Sequence, residues 1–299
     1  KQRKNKYDVI IGLSGGVDSS YVAYLVTKKY GLRALAVHVD NGWNTELSVA
    51  NIEKIVKKLD IDLYTEVLDW REFSDIQLSF LKSGISNIEI PTDHAIWATM
   101  IRTASKFNVP YIFAGNNVVS ESIMPESWLY GSKDFRLINS IQNEFGKFKI
   151  RTFPHLKLID YIYFLIVKRI KWIPLLNYVD FNKEEAKDFL ISDLNWRDYG
   201  GKHYESTFTR FFHSYYLIKK FGYDLRKSYN SSLICSGQIS REEALIDIAK
   251  PPISESLKKQ DINFVEKKFN LVNGELNKII NGPSNSYEVY SNQEQFWKI

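Results

Sequence analysis

The residues Ser14-Gly15-Gly16-Val17-Asp18-Ser19-Ser20 combine, in one short stretch, most of what a phosphate group needs from a protein. Adjacent glycines let the backbone turn tightly and bring its N–H groups close to phosphate oxygens. The hydroxyls of Ser14, Ser19 and Ser20 add donors. A helix beginning near Ser19 would point its positive dipole end at the same spot. Asp18 repels phosphate, so a carboxylate here points to a Mg²⁺ ion bridging protein and phosphates. The spacing is neither Gly-x-x-x-x-Gly-Lys-Ser/Thr nor Gly-x-Gly-x-x-Gly, so a Walker loop and a dinucleotide fingerprint are both excluded. The plain alternative is a Gly-Gly turn with an Asp/Ser helix cap.

Position decides between them. Tyr7 to Leu13 is an apolar, Val/Ile-rich run that suits a buried parallel strand, and Ser19 to Tyr30 is predicted as a helix stopped by Gly31. Strands follow at Leu32–Val39, Asp62–Leu68 and Tyr111–Ala114. Helices fall between them at Glu46–Leu59, whose Ile52, Ile55, Val56 and Leu59 share one face, and at Thr92–Phe107, with Thr92 as its expected cap. Strands alternating with crossover helices predict an α/β fold with a doubly wound parallel sheet, and ligands on such sheets sit at the carboxyl ends of the strands. The Ser14–Ser20 turn lies on the first of those ends.

Beyond Gly115 the rhythm is lost. The expected division is an α/β domain over residues 1–117 and a mostly helical region over 118–299. Helices are expected near 157–171, from Asn182 behind an N-K-E-E capping box, over Ser206–Phe221, and from Ser240 behind S-R-E-E, with a helical tail from 253 that becomes polar and loose near 281.

Forty Lys and Arg against 35 Asp and Glu give a net charge of +5 over 299 residues. That balance permits anionic ligands without demanding nucleic acid, so no nucleic-acid partner is expected. One cysteine, Cys235, excludes an internal disulfide and any multi-cysteine metal site in this chain, and it reads as a small buried hydrophobe. The most apolar stretch, Leu156 to Leu176, is broken by six charged or proline residues. It is too interrupted to span a bilayer, leaving a buried helix or one that contacts a membrane surface. A cytoplasmic, soluble protein is expected. The chain starts at Lys1 with the basic lead-in KQRKNK, so a missing native N-terminal piece is expected.

SGGVDSS after an apolar strand resembles the pyrophosphate loop of the N-type ATP pyrophosphatases, the PP-loop superfamily. HVDNGWNTELS, IPTDHAIWAT, AGNNVVSESIMPESWLYGSKDFR, NWRDYGGKHYESTFTRFF and SSLICSGQISREEAL together resemble the N-acetyl sugar amidotransferases of bacterial surface-polysaccharide synthesis, over nearly the whole chain. The resemblance implies an adenine-nucleotide-hydrolase-like fold and ATP, with Mg²⁺, cleaved to AMP and diphosphate. It implies conversion of a sugar acetamido group to acetamidino, in lipopolysaccharide, O-antigen or other surface-glycan synthesis. Ammonia would come from a separate glutaminase of the HisH type, with a HisF-like channel subunit as a further expected partner. Zinc is implied only for a cysteine-bearing N-terminal module that this chain does not contain. The loop residues Ser14, Gly15, Gly16, Asp18, Ser19 and Ser20 would hold pyrophosphate. Asp40, at the end of the second strand, would meet the adenosine. Gly115 and Asn116, at the end of the fourth, would close on the nucleotide. Glu121 stands where relatives place acids and is the second expected Mg²⁺ contact beside Asp18; simple turn chemistry explains Asn116 equally well.

An amide oxygen is a weak nucleophile, so its attack on phosphorus needs charge neutralisation and positioning rather than a strong base. Gly200-Gly201-Lys202-His203-Tyr204-Glu205 could supply both: Lys202 a cation for the phosphates, and His203 or Glu205 an acceptor for a proton from incoming ammonia. Arg210, on the same face as His203, is a further phosphate candidate. Asp93 and His94 head a helix where substrate or metal could be met, and Trp128, Lys133 and Arg136 mix an aromatic platform with cations suited to a phosphorylated sugar. Two other readings stay open: a tRNA-modifying member of the superfamily, and a nucleotide-binding subunit without catalysis of its own.

Overall fold

The computed structural model describes residues 5–297; Lys1–Lys4, most of the basic lead-in, lie outside the described residues, as do Lys298 and Ile299. Five strands form one sheet: β1 (Val9–Gly12), β2 (Ala34–Asp40), β3 (Asp62–Val67), β4 (Tyr111–Ala114) and β5 (Lys171–Pro174). Their spatial order is β3-β2-β1-β4-β5 and every pairing is parallel. The chain builds outward from β1 to β3, then returns to the other side of β1 to lay down β4 and β5. The carboxyl ends of β1 and β4 therefore frame a switch point, where a doubly wound sheet opens a crevice.

Alternating side chains send the central strands' apolar residues to opposite faces. Val9, Ile11, Ala34 and Ala36 join the core formed with α1 (Val17–Tyr24), α2 (Glu46–Leu59) and α8 (Lys183–Leu194). Ile10, Leu35, Val37 and Ile112 join Ala98, Met100 and Ile101 of α4 (Ile90–Lys106). The third core is aromatic. Trp43, Phe73 and Phe80 of the loop before α2 and of α3 (Trp70–Ser83) pack against Phe208 and Phe211 of α9 (Thr207–Phe211). The remaining helices are α5 (Val118–Glu121), α6 (Phe135–Phe145), α7 (Leu158–Ile162), α10 (Leu217–Phe221), α11 (Leu225–Cys235), α12 (Arg241–Ala249), α13 (Glu255–Lys268), α14 (Glu275–Asn281) and α15 (Glu294–Trp297).

The structure departs from the sequence reading in several places. The sheet does not end before residue 118: β5 pairs with β4, Ile112 opposite Trp172, so the division at 117/118 cuts through the sheet. The helix expected over 157–171 covers only α7 and a π turn at Tyr163–Val167; Lys171 already belongs to β5. Helix α4 begins at Ile90 with Pro91 in its first turn, so Thr92 lies inside it and is not its cap. Behind its cap Ser206, the chain is helical to Phe221 but widens into a π turn at Phe212–Tyr216, between α9 and α10. Such wide turns reorient single side chains, and here the turn carries His213. The expected loose tail is anchored: Tyr290 is buried and its hydroxyl donates to the Ser83 carbonyl at 2.8 Å, while the Asn285 N–H donates to Gly84 at 2.9 Å. Cys235 is exposed rather than buried. Among the described residues no helix is long and apolar enough to cross a membrane.

Candidate active site

The turn after β1 takes its shape from its glycines and from two aromatic side chains behind it. Gly15 has φ +85°, in the left-handed region, and a Cβ there would stand 2.9 Å from the Ser48 carbonyl oxygen. The Trp196 indole N–H and the Tyr199 hydroxyl both donate to the Gly15 carbonyl, each at 2.7 Å. Ser14 and Ser19 join hydroxyls at 3.1 Å, and the Ser19 hydroxyl donates to the Gly16 carbonyl at 3.2 Å. Helix α1 starts directly behind Gly16 and no side chain caps it. Its first-turn N–H groups and dipole are left for an anion. Ser20 is fully buried and does not line this mouth.

The exit of β4 lies flush against the same helix start. A Cβ on Gly115 would meet the Asp18 carbonyl carbon and the Ser19 nitrogen at 3.0 Å each, so only glycine fits without a shift. Asn117 then caps α5 by accepting from the Ser120 N–H at 2.9 Å, which sets Glu121 beside Asp18. Asn116 lines the mouth and accepts from the Trp172 indole N–H at 3.2 Å.

The loop 200–205 closes the opposite side. It is tied down by the Thr45 N–H donating to the Glu205 carbonyl at 3.0 Å and by a bridge between Asn44 and Ser206. Lys202 Nζ lies 3.1 Å from Glu121 Oε1 and 3.6 Å from the centre of the Tyr229 ring. His203 holds φ 62°, and its Nδ1 lies 3.9 Å from Glu205 Oε1. Glu205 in turn reaches Gly16: a Cβ there would sit 3.3 Å from its carboxylate. Asp18, Glu121, Lys183, Lys202, His203 and Glu205 thus converge on one cleft of about 740 Å³.

The electrostatics follow from enclosure. Burial pushes the Asp18 carboxyl above its usual range, Lys183 opposes this and the neighbouring Glu121 reinforces it. Burial would also raise Glu121, but Lys202 and His203 hold it low. Burial works on Glu205 too and is outweighed by His203. Lys202 is lowered by burial, with Glu121 resisting. One Asp18 oxygen, Oδ1, is buried and has no hydrogen-bond partner among the described residues. An orphaned buried carboxylate oxygen beside a second acid fits a divalent cation. No cluster of three or more His, Cys, Asp or Glu among the described residues could hold a metal alone. Mg²⁺ suits such a place, since it takes one or two protein carboxylates and completes its shell with water and phosphates.

The other expected site residues are not gathered with these. Arg210 lines the cleft, but its guanidinium is committed to Asp261 in a two-pronged pair of 2.7 and 2.6 Å, so its charge is already matched. Asp40 does not line the cleft; its Oδ1 accepts from the Gly42 N–H at 3.0 Å and shapes the turn leaving β2. His94 is fully buried. Its Nδ1 lies 2.8 Å from the Ser132 carbonyl, its Nε2 accepts from the Leu156 N–H at 3.1 Å, and burial pushes it down to about 4. Both nitrogens are used inside the protein, which removes His94 as a substrate or metal contact. Trp128 stacks on Tyr223 at 4.8 Å, Lys133 lies 4.7 Å over the Trp97 ring and Arg136 is exposed on α6. None of these three lines the cleft. Asp93 is exposed on α4 and does not line the cleft either, though its charge feels His203 and Glu121. Behind it Glu89 is raised to about 8, by burial first and Asp93 second.

Sequence reasoning missed Tyr229, the cushion under Lys202, and His213, whose ring is 5.0 Å from that of His203. It also missed Lys183, although the cap at Asn182 was visible one residue before it. Trp196 and Tyr199 lie within NWRDYGG, and their role at Gly15 depends on a fold contact across 181 and 184 residues that no local pattern shows.

The glycine turn lies at the switch point of the parallel sheet, and residues 2–80, which contain it, match the NAD synthase family. Residues 205–299 match the family described as LPS biosynthesis protein WbpG-like, C-terminal domain. The chain thus carries an NAD-synthase-like segment at its start and a WbpG-like C-terminal domain at its end. An uncharacterized protein of Methanocaldococcus jannaschii is 24% identical over 266 residues, 86% of this chain and 78% of that protein. A glutamine-hydrolyzing GMP synthase of Pyrobaculum aerophilum is 41% identical over 84 residues, which is 27% of this chain and 15% of the synthase. The NH3-dependent NAD synthetase from Campylobacter jejuni aligns over 95% of this chain and 91% of its own, at 13% identity and a TM-score of 0.37.

Proposed function

We propose that the chain is an ATP-dependent amidotransferase that converts the acetamido group of a sugar to acetamidino, with ammonia delivered by a glutaminase partner, in lipopolysaccharide or related surface-glycan synthesis. The observation that carries the reading is Asp18, whose buried, unpartnered oxygen lies at the uncapped start of α1 and faces Glu121 and Lys202 across the cleft. The match of residues 205–299 to a lipopolysaccharide-synthesis domain supports a surface-glycan substrate. The glutamine-hydrolyzing GMP synthases support ammonia as the attacking group.

In this reading Gly15, Gly16 and the first turn of α1 bind the β- and γ-phosphates through backbone N–H groups. Asp18, with Glu121 beside it, would hold Mg²⁺, which supplies neutralisation of phosphate charge. Lys202 is poised between Glu121 and the phosphates as a cation on a cushion, Tyr229, that limits its motion. The acetamido oxygen bonds to the α-phosphorus, and the bond to the bridging oxygen breaks to release pyrophosphate. Ammonia then bonds to the former carbonyl carbon, the carbon–oxygen bond breaks, and AMP leaves with that oxygen. One proton must leave the incoming nitrogen. Glu205, held ionised beside His203, is the acceptor nearest the turn.

The test is pyrophosphate release from Mg²⁺–ATP with ammonium and a panel of N-acetyl sugars, free and nucleotide-linked, with mass spectrometry following exchange of the amide oxygen for NH. Sugar-dependent release that disappears in Asp18→Ala supports the reading. Release that depends on tRNA instead would transfer the chain to the tRNA-modifying class. ATP binding without release, even with a glutaminase added, would make it a nucleotide-binding subunit.

A further inference from the structure

We propose that the outward face of residues 158–167 docks on an anionic lipid bilayer. This face lies outside the cleft and does not depend on the reaction assigned to it. Helix α7 and the π turn that extends it form a ten-residue element whose inner side chains, Tyr161 and Phe164, pack into the core shared with α4. The outer side chains have nothing over them. Ile159, Ile166 and Val167 are 66, 68 and 65% exposed, and Ile162 and Tyr163 beside them are 45% exposed each. Isolated surface hydrophobes are ordinary, but a contiguous aliphatic face on one short element marks a contact surface.

The rim identifies the occupant. Lys157 precedes the element and Lys168, Arg169 and Lys171 follow it, all exposed. The one acid between them, Asp160, accepts from the Lys157 backbone N–H at 2.8 Å and caps the helix start. Residues 157–171 therefore carry four cations against one anion. A second copy of the chain, packed face to face about a two-fold axis, would bring these cationic rims together. A bilayer with anionic headgroups matches them. Aliphatic side chains would enter the headgroup boundary, Tyr163 would sit at interface depth, and the long cationic side chains would reach the phosphates. The element is too short to span, so it lies in the plane of the surface.

Co-sedimentation of the full chain with vesicles tests this, comparing phosphatidylcholine alone with phosphatidylcholine containing phosphatidylglycerol. The chain is expected to pellet with the anionic vesicles only, and less at high salt. Ile162→Asp/Ile166→Asp should abolish binding. Lys168→Ala/Arg169→Ala should weaken it roughly 30-fold, from about 1 kcal/mol per cation near an anionic surface. Lys57→Ala/Lys58→Ala on α2 removes equal charge elsewhere and should change nothing. All variants alter exposed side chains, so unchanged thermal unfolding separates loss of docking from loss of fold. Equal binding to neutral vesicles, no binding to either kind, or full binding by the isoleucine variant would overturn the proposal. So would a dimer in free solution that Ile166→Asp dissolves, which would assign the face to a second copy.

Discussion

Gly115→Ala places a single methyl group where the architecture tolerates it least. Its Cβ would stand 3.0 Å from two backbone atoms of the α1 start, the Asp18 carbonyl carbon and the Ser19 nitrogen, and 3.2 Å from Asp18 Cβ. Ordinary contacts begin near 3.4 Å, so the helix start or the β4 exit must move by a few tenths of an ångström. Neither neighbour is a flexible side-chain end that can swing aside. Overpacking of this kind costs about 1–3 kcal/mol, which lowers Tm by about 2–6 °C in a chain of this size. The displacement falls on the residue that aims Asp18, so catalysis should suffer more than stability. Misplacement by a fraction of an ångström costs about 10- to 100-fold in rate. Pyrophosphate release and thermal unfolding should be measured side by side, with Gly131→Ala as control, because nothing lies within 4 Å of a Cβ there. A Gly115→Ala protein with unchanged turnover would refute the claim that close approach of β4 to α1 positions the carboxylate. Equal losses in both variants would refute it too.

Four further outcomes follow from the same geometry. Asp18→Asn should lower pyrophosphate release at least about 100-fold, yet leave Tm unchanged or raised, because it removes a desolvated charge beside Glu121; a large drop in Tm would mean that Asp18 is structural. Glu89 is raised in the fold from 4.5 to about 8, so the folded state binds its proton more tightly than the unfolded chain. Stability on its account is complete below pH 4.5 and is lost as pH rises toward 8, and Glu89→Gln should flatten that part of the Tm profile. Arg210→Ala should leave the buried Asp261 unmatched and destabilise by about 3–5 kcal/mol, whereas Arg210→Met with Asp261→Leu should recover most of it; a change in KM for ATP in the double variant with stability restored would return Arg210 to the phosphates. His94→Ala should lower Tm without shifting KM for any substrate, since both ring nitrogens serve Ser132 and Leu156.

What could be read from the chain alone follows the range of the forces involved. The turn at Ser14–Ser20 is specified by residues next to one another, and the apolar runs of β1, β2 and β4 are short, dense and flanked by glycine or polar residues. Both were legible. Strand β5, Lys-Trp-Ile-Pro, has no period of its own; it is a strand because β4 offers an unpaired edge, and nothing local announces that. Likewise Cys235 looked buried by its type, but it ends α11 where no neighbour covers it. Helix α3 escaped because its inward face mixes polar Glu72, Asp75 and Gln77 with apolar Phe73, Ile76 and Phe80. Glu72 accepts from the Thr152 N–H at 2.9 Å, and Asp75 from the Phe148 N–H at 2.9 Å. Why those polar residues are buried depends on partners more than 70 residues away.

The same distinction explains which site residues held together. Asp18, Glu121, Lys202, His203 and Glu205 come from three segments whose backbones interlock: Gly115 against α1, Asn117 capping α5, and Thr45 holding Glu205. His94 resembles a site residue by type, but both its nitrogens are bonded inside the protein, and Arg210, which lines the cleft, has its charge matched by the two-pronged pair with Asp261. A histidine with both nitrogens bonded has no valence left for a ligand. Asp18 has the opposite character, a buried oxygen with nothing to accept from. Burying it as a charge is costly, and protonation or, in the proposed reading, a bound cation would relieve that cost. Other buried polar atoms, such as Ser20 Oγ and Glu89 Oε1, lack partners too, so what marks Asp18 is an orphaned carboxylate oxygen on the lining of the cleft.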